Sequence, residues 1–173
     1  MIIRGRTPSD TRAIEALVDR CFPPERRRRT AALLRGGSTP IASLSFVAED
    51  ADRIVGSVAC HPIRWEGPGG AWPLVLLGPL VTAPERRGEG IGSLLMAHAV
   101  SALDGCGDDC LLVGDLPYYG RFGFREAPAA SWELPGPVEP GRLLLRSGQP
   151  ERWAGPARVG AAAPFAMPRA HAA

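Results

Sequence analysis

The chain has 173 residues, of which 45% are hydrophobic and 22% are charged, and its formal net charge is +2 at neutral pH. A chain of this length supports one domain with a hydrophobic core. The small net charge does not indicate nucleic-acid binding, and no apolar run reaches the length of a membrane span. The N-terminal residues lack the apolar core of a secretory signal, so we expect a cytoplasmic protein without nucleic-acid or membrane partners.

The basic residues exclude two classes of enzyme chemistry, because all 20 are arginine and the sequence contains no lysine. The sequence also contains no asparagine. Without lysine the chain forms no Schiff base with a carbonyl cofactor and lacks the phosphate-binding lysine of a P-loop. The four cysteines do not have the spacing of a zinc site and need not form disulfides, so we expect no metal.

The N-terminal segment predicts a short strand and two helices. Ile2 and Ile3 suit a strand, and the apolar spacing after it predicts an amphipathic helix that ends near Cys21. A second helix is predicted over Glu25–Arg35, up to a pair of glycines. Its arginine run, Arg26–Arg29, is expected to be a solvated face, and attraction of an acidic substrate is the alternative interpretation.

Three strands joined by short turns follow, and they predict an antiparallel meander over Leu44–Glu49, Arg53–Arg64 and Trp72–Thr82. The dipeptide Gly78-Pro79 lies inside the third strand. Because proline donates no hydrogen bond to a strand ladder, this dipeptide predicts a bulge or a local opening of the sheet.

A glycine-rich turn, Pro84-Glu85-Arg86-Arg87-Gly88-Glu89-Gly90-Ile91-Gly92, connects the third strand to a helix. Alternating glycines let the backbone approach a ligand closely and direct its N–H groups toward it. The start of a helix adds unpaired N–H groups and a positive dipole end, so the turn suits a phosphate or pyrophosphate. Arg86 and Arg87 add positive charge at the same corner. The alternative is a tight turn that serves only the connection.

The following helix is predicted to place six residues on one face: Ile91, Leu94, Leu95, His98, Ala99 and Ala102. In that apolar stripe, His98 is expected to be a packed core residue. A buried strand is predicted at Cys110–Val113, at most one helical turn at Tyr118–Phe122, and further strands at Phe124 and at Leu143–Leu145.

The C-terminal stretch is rich in alanine, proline and glycine, and we expect it to be irregular or partly extended. The sequence therefore predicts a single domain over residues 1–146, followed by a tail over residues 147–173.

Two motifs resemble the GNAT superfamily of N-acetyltransferases. Arg87-Gly88-Glu89-Gly90-Ile91-Gly92 matches the cofactor motif of that family, directly after an apolar strand. Tyr119-Gly120-Arg121-Phe122-Gly123-Phe124 resembles its Tyr-x-x-x-Gly-Phe motif. Both occur in the right order, and the resemblance covers about residues 72–125. It implies an α+β fold with a mixed, mostly antiparallel sheet of about six to seven strands, splayed at the cofactor site, with helices on both faces.

The resemblance also implies acetyl-CoA as cofactor, coenzyme A as product, and transfer of the acetyl group to an amine of a small molecule or a peptide. The backbone of Leu80, Val81 and Thr82 would bind the pantetheine arm. Tyr119 would be the general acid toward the departing thiolate, and the alternatives are that it is a core aromatic or that Tyr118 has this role. The pyrophosphate would be held by the N–H groups of Arg87, Gly88, Glu89, Gly90, Ile91, Gly92 and Ser93.

Some features are not fixed by the motifs. The asparagine that many members carry before the tyrosine is absent, and Asp115 or Tyr118 would have to replace its contact. Asp115 itself is expected to be a turn residue. The motifs do not identify the general base, for which the candidates are His61, Glu66, Glu85 and a relayed water. Whether the protein is a homodimer is also left open.

Alternative functions also remain at this point. Direct attack by the amine is expected, because no cysteine or serine has an identifiable histidine partner in the sequence. The alternatives are a dinucleotide-dependent oxidoreductase and a catalytically silent acyl-CoA sensor or partner-binding module.

Overall fold

In the computed structural model, which describes residues 1–162, the chain forms a nine-stranded mixed sheet with four α-helices. The helices are α1 (Thr11–Cys21), α2 (Thr30–Arg35), α3 (Ile91–Cys106) and α4 (Leu116–Tyr119). The strands are β1 (Ile2–Gly5), β2 (Phe46–Asp50), β3 (Arg53–Gly67), β4 (Gly70–Thr82), β5 (Cys110–Val113), β6 (Arg125–Glu126), β7 (Trp132–Glu133), β8 (Leu143–Arg146) and β9 (Ala157–Ala161). The helices within residues 1–162 are too short or too polar to span a membrane.

The strand order is β1-β2-β3-β4-β5-β8-β6, with β9 paired to both β3 and β7. Neighbouring strands are antiparallel except at the β4–β5 and β7–β9 pairs, which are parallel. The predicted meander of β2, β3 and β4 is confirmed, as is the mixed and mostly antiparallel sheet. The described residues contain nine strands instead of the expected six to seven, because β7 and β9, from the C-terminal part of the chain, are added to the sheet.

The sheet opens between β4 and β5, and this opening positions the site. These strands pair only at Val75–Cys110 and Leu76–Leu111, and beyond these pairs they separate. On its other edge β4 stays paired with β3 up to Thr82, so its second half has one free edge. The predicted irregularity at Gly78-Pro79 is confirmed, since the register between β3 and β4 shifts opposite these residues, between Val58 and Cys60.

The core has two parts, one on each face of the sheet. Along β4, Val75 and Leu77 pack in one cluster with the buried face of α3, whereas Leu74 and Leu76 pack in the other with Leu34 of α2. This alternation is the two-residue period of a strand buried on both faces. The expectation of helices on both faces is therefore confirmed.

The predicted second helix is interrupted. A 3₁₀ turn spans Pro24–Arg28, Arg29 is extended with ψ of 149°, and α2 begins only at Thr30. Arg26 pairs with Asp19 and Glu15 of α1 at 2.6 Å and 3.2 Å, and these contacts fix the 3₁₀ turn against α1. The Thr30 hydroxyl donates to the carbonyl oxygen of Pro137 at 2.6 Å, which holds the start of α2 against the C-terminal part of the chain.

The stretch after Arg146 differs from the expected tail. A 3₁₀ turn at Pro150–Trp153 leads into β9, which pairs antiparallel with β3 between Ile63 and Glu66. The part of the predicted tail over residues 147–162 is thus folded onto the sheet, and residues 163–173 lie outside the described residues.

Aromatic packing explains this difference. We call Trp65, Trp132 and Trp153 the tryptophan cluster. The Trp65 ring meets the other two edge to face, with its centroid 5.6 Å from that of Trp153 and 6.4 Å from that of Trp132. The Trp153 side chain is only 1% exposed. Its indole Nε1–H donates to Asp109 Oδ2 at 2.7 Å, and the Trp132 Nε1–H donates to the Trp153 carbonyl oxygen at 3.1 Å. The cluster joins β3, β7 and the last 3₁₀ turn.

Candidate functional site

The turn between β4 and α3 has the conformation that its glycines predict. After a 3₁₀ turn at Pro84–Arg86, Gly88 has φ of +88° and Gly90 has φ of +79°. Both values lie in the left-handed region, which side chains with a Cβ rarely adopt. Gly90 is the N-cap of α3, and it is exposed.

Several backbone N–H groups of this turn have no hydrogen-bond partner among the described residues. In the part of the chain that the structure describes, the N–H groups of Gly88, Glu89 and Gly90 donate no hydrogen bond. The first N–H groups of the 16-residue helix α3 follow directly, and an α-helix leaves such groups without intrahelical partners. Exposed donors beside the positive end of a helix dipole form an anion-binding site.

The free edge of β4 adds a second set of backbone groups. The Ala83 N–H donates to the Val55 carbonyl oxygen at 2.8 Å, which marks these two residues as a hydrogen-bonded pair. Because such pairs alternate along an antiparallel ladder, Leu80 and Thr82 direct their N–H and C=O groups away from β3. The Thr82 carbonyl oxygen accepts the Cys21 thiol at 3.4 Å, so the groups that face the opening are those of Leu80 and the Thr82 N–H. The intervening Val81 faces β3 with its backbone and has a buried side chain.

The two arginines of the turn are not equivalent. Arg86 Nη1 lies 2.8 Å from Asp50 Oδ2, and its Nε lies 2.7 Å from Glu89 Oε1. The hydrogen bond from Arg86 holds the pKa of Glu89 below its usual value. Arg87 is exposed, and its side chain has no ion pair within residues 1–162. The charge of Arg86 is therefore compensated locally, and that of Arg87 is not.

Tyr118 lies against the first turn of α3. A Cβ placed on Gly92 would come within 3.1 Å of the Tyr118 hydroxyl oxygen and 3.6 Å of Thr82 Oγ1. Glycine at position 92 thus permits a close approach between α4 and α3. The tyrosine hydroxyl stands beside the turn and beside the last residue of β4.

Tyr119 packs against the end of β5, across the opening from β4. Its ring packs so closely on Gly114, at the end of β5, that a Cβ there would collide with it, and it lies edge to face with Tyr118 at 4.8 Å. Burial raises the pKa of the Tyr119 phenol to about 12. The phenol therefore stays protonated near neutral pH and carries a proton that it can donate.

Asp115 is a turn residue, as expected. It is the N-cap of α4, and its carbonyl oxygen accepts the N–H groups of Tyr118 at 2.9 Å and Tyr119 at 3.1 Å. Its carboxylate is exposed and lies 3.4 Å from Arg142. The residue thus sets the start of the tyrosine-bearing turn.

The candidates for a general base lie in three separate places. Glu66 pairs with Arg64 near the β3–β4 hairpin, and Glu85 is exposed beside Arg20, with Oε2 2.7 Å from the guanidinium. His61 is buried on β3 at 7% exposure, and burial lowers its pKa to about 4. Glu85 belongs to the glycine-rich turn itself, whereas the contacts of the described residues bring neither His61 nor Glu66 to it.

His61 has a serine neighbour that the sequence did not indicate. Its Nδ1 lies 3.1 Å from Ser38 Oγ and 3.2 Å from the Ser38 carbonyl oxygen. Because a carbonyl oxygen only accepts, the tautomer that satisfies it carries the proton on Nδ1 and leaves no lone pair there for the serine hydroxyl. In that tautomer the contact orients the two side chains and does not activate the serine.

The prediction for His98 is wrong. His98 is exposed on α3, where its Nδ1 lies 2.9 Å from the Leu94 carbonyl oxygen and its ring lies near Phe46. Leu94 is also exposed, and the residues that α3 buries instead include Met96 and Leu103. The cysteines are free thiols, and residues 1–162 contain no cluster of three metal-ligating side chains.

Comparison with known families identifies the fold around this turn. A sequence profile described as an acetyltransferase (GNAT) domain matches residues 2–127, which is more than half of the chain. The chain belongs to the GNAT acetyltransferase family. The resemblance of its two motifs to that family is thereby confirmed, and the protein is an acyltransferase and not a dinucleotide-dependent oxidoreductase. No curated protein matches the sequence.

Solved structures share this GNAT fold. The GNAT N-acetyltransferase YhbS from Escherichia coli, in complex with CoA, is 23% identical, with a TM-score of 0.72 over 91% of this chain and 88% of that one. A GNAT acetyltransferase from Brucella melitensis, in complex with acetyl-CoA, is 28% identical, with a TM-score of 0.59 over 85% and 96%. Arabidopsis thaliana Naa50, with the bisubstrate analogue CoA-Ac-MVNAL, is 20% identical, with a TM-score of 0.51 over 83% and 95%.

Proposed function

We propose that this GNAT protein transfers the acetyl group of acetyl-CoA to a primary amine of a small molecule or peptide. Acetyl-CoA supplies an acetyl group that is activated as a thioester. The proposal is supported by the family membership and by the bound CoA and acetyl-CoA of the similar structures from Escherichia coli and Brucella melitensis. The bisubstrate analogue of Naa50 supports an amine acceptor.

The backbone of the turn would hold the pyrophosphate. The donors are the unpaired N–H groups of Gly88, Glu89 and Gly90, the first N–H groups of α3 through Gly92, and that of Ser93. Arg87 would contribute its uncompensated charge, and its backbone N–H, which donates to the Pro84 carbonyl oxygen at 3.4 Å, would have to leave that bond to reach the ligand. Because these donors are fixed by the fold before the ligand arrives, they require little reorganisation on binding.

The open edge of β4 would orient the pantetheine arm and the acetyl carbonyl. Leu80 and Thr82 direct backbone groups into the opening, and Val81 fixes the strand between them through its buried side chain. A peptide N–H at this edge would polarise the carbonyl, and the fixed strand would hold it beside the amine.

Tyr119 would act as the general acid. Its phenol would donate a proton to the sulfur of the departing thiolate, while the attacking amine would lose its proton to a base or to water. We infer direct transfer without an acyl-enzyme, because Ser38, the serine in contact with His61, shares the imidazole Nδ1 with its own carbonyl oxygen, and a proton placed there leaves no base for the hydroxyl. The cytoplasmic location stays a prediction, and a homodimer is left open.

The observation that carries the proposal is the set of unpaired N–H groups at the left-handed glycines, directly before α3. The test is the release of free thiol from acetyl-CoA in the presence of a panel of primary amines. We expect release above background with at least one amine class. A protein that binds acetyl-CoA but releases no thiol with any amine would be a sensor, and a protein that does not bind it would contradict the cofactor assignment.

A further inference from the structure

Arg121, in the 3₁₀ turn after α4, reaches across to the first turn of α3. Its Nη2 donates to Ser93 Oγ at 3.2 Å, which places the guanidinium beside the predicted pyrophosphate donors. The guanidinium also lies 4.3 Å above the centre of the Tyr118 ring, an arrangement that stabilises a cation on an aromatic face. Two independent contacts therefore hold Arg121 at the glycine turn.

Most hydrogen-bond donors of the Arg121 side chain have no partner within residues 1–162. A guanidinium has five N–H donors, and the bond to Ser93 is the one hydrogen bond that the Arg121 side chain makes within residues 1–162. The same residues provide no carboxylate partner for it, in contrast to Arg86, which has two. Arg121 is thus an exposed and uncompensated cation with free donors.

We propose that Arg121 is a phosphate-binding residue of this cofactor site and that its guanidinium contacts the pyrophosphate of acetyl-CoA. A planar guanidinium suits two phosphate oxygens at once, and hydrogen bonds between charged partners are stronger than neutral ones. Tyr118 acts as a stacking platform that holds the guanidinium over the turn before the ligand arrives. This inference rests on the proposed function, since it needs a bound pyrophosphate.

Calorimetric titration with coenzyme A tests the inference in the full-length protein. We expect Arg121→Gln to weaken the affinity about tenfold, the scale of one lost charge-assisted hydrogen bond. Arg125→Gln is the matched control, because it removes the same charge from an exposed residue of β6 in the same part of the chain. The control should stay within about twofold of the unmodified protein, since exposed charges at a distance are screened by salt.

Truncated ligands locate the contact. Dephospho-coenzyme A keeps the pyrophosphate but lacks the 3′-phosphate, so Arg121→Gln should again weaken binding about tenfold. Acetyl-pantetheine has no pyrophosphate, and its turnover by the variant should match that of the unmodified protein. An unchanged affinity for coenzyme A in Arg121→Gln, or an effect that vanishes with dephospho-coenzyme A, would overturn the inference. Failure of the unmodified protein to bind coenzyme A would contradict the proposed function instead.

Discussion

The two regions that adjoin the ends of β4 use their polar groups in opposite ways. At the C-terminal end, the glycine turn leaves backbone donors exposed and unpaired, on residues with positive φ. At the N-terminal end, the tryptophan cluster buries its rings, and two of its three indole N–H groups donate to acceptors of the chain itself. The first arrangement suits a ligand, and the second suits stability. Substitutions at one end should therefore change binding, and those at the other should change the free energy of unfolding.

Trp153→Ala should give the largest effect on stability. Removing a nearly fully buried tryptophan typically costs about 3–5 kcal/mol, and here the bond to Asp109 is lost as well. Urea unfolding measures the loss, with Trp72→Ala as control, because Trp72 is 38% exposed. A loss under about 1 kcal/mol in Trp153→Ala would show that the C-terminal segment does not hold the sheet together.

Tyr119→Phe should give the largest effect on turnover. If the phenol is the acid, its removal should lower turnover by about 10²–10⁴-fold with little change in cofactor affinity, since ring packing is kept. A larger fall in Tyr118→Phe would move the acid to Tyr118, whose hydroxyl stands beside Gly92. A core role for Tyr119 predicts a lower melting temperature and nearly normal turnover.

His61 should make stability depend on pH in one window. Its pKa is lowered to about 4, so the unfolded chain binds more protons than the folded one between about pH 6.5 and pH 4. Stability should therefore fall on acidification through this window, by about 2–3 kcal/mol at pH 4. Chemical denaturation at several pH values measures this fall.

His61→Gln is the matched variant, and its stability should vary less between pH 6.5 and pH 4. The strongly paired carboxylate of Asp10 does not interfere, because Arg4 lowers its pKa and its contribution is lost only at more acidic pH. Equal slopes in the two proteins would show that the imidazole is hydrated in the folded state.

The smallest effect is expected from the charges of the turn. Arg87→Gln should weaken acetyl-CoA binding only a few-fold at low salt, and the difference from the unmodified protein should shrink as salt is raised. Replacing Arg86 and Arg87 together by Gln should flatten the salt dependence further. Titrations at two salt concentrations test this, and identical salt slopes would mean that only the backbone of the turn binds phosphate.

Much of the central fold is predictable because its signals are local. Cys110–Val113 is a strand with the predicted bounds, and β3 begins at the predicted Arg53 after a two-residue turn. The sequence does not indicate the C-terminal strands β7 and β9, because they are short and are fixed by tryptophans far apart in the chain. The position of His98 is not predictable from the sequence, because an apolar stripe does not show which flank of a helix meets the sheet.

The candidate site shows the same limit. Glycine spacing predicts the turn and the start of α3, since positive φ is a property of single residues. Pairing of Arg86 with Asp50 and of His61 with Ser38 joins residues that are distant in the chain. No spacing rule indicates such contacts, and only the folded chain distinguishes Arg86 from Arg87.

Gly90→Val tests the central claim most directly, namely that the backbone of the turn binds the cofactor. A β-branched residue does not readily adopt φ of +79°, so the N–H groups before α3 should turn away from the ligand. Calorimetric titration with acetyl-CoA, on protein with an unchanged circular dichroism spectrum, should show a loss of about 2 kcal/mol or more, or roughly 30-fold in affinity. An affinity equal to that of the unmodified protein would contradict the account.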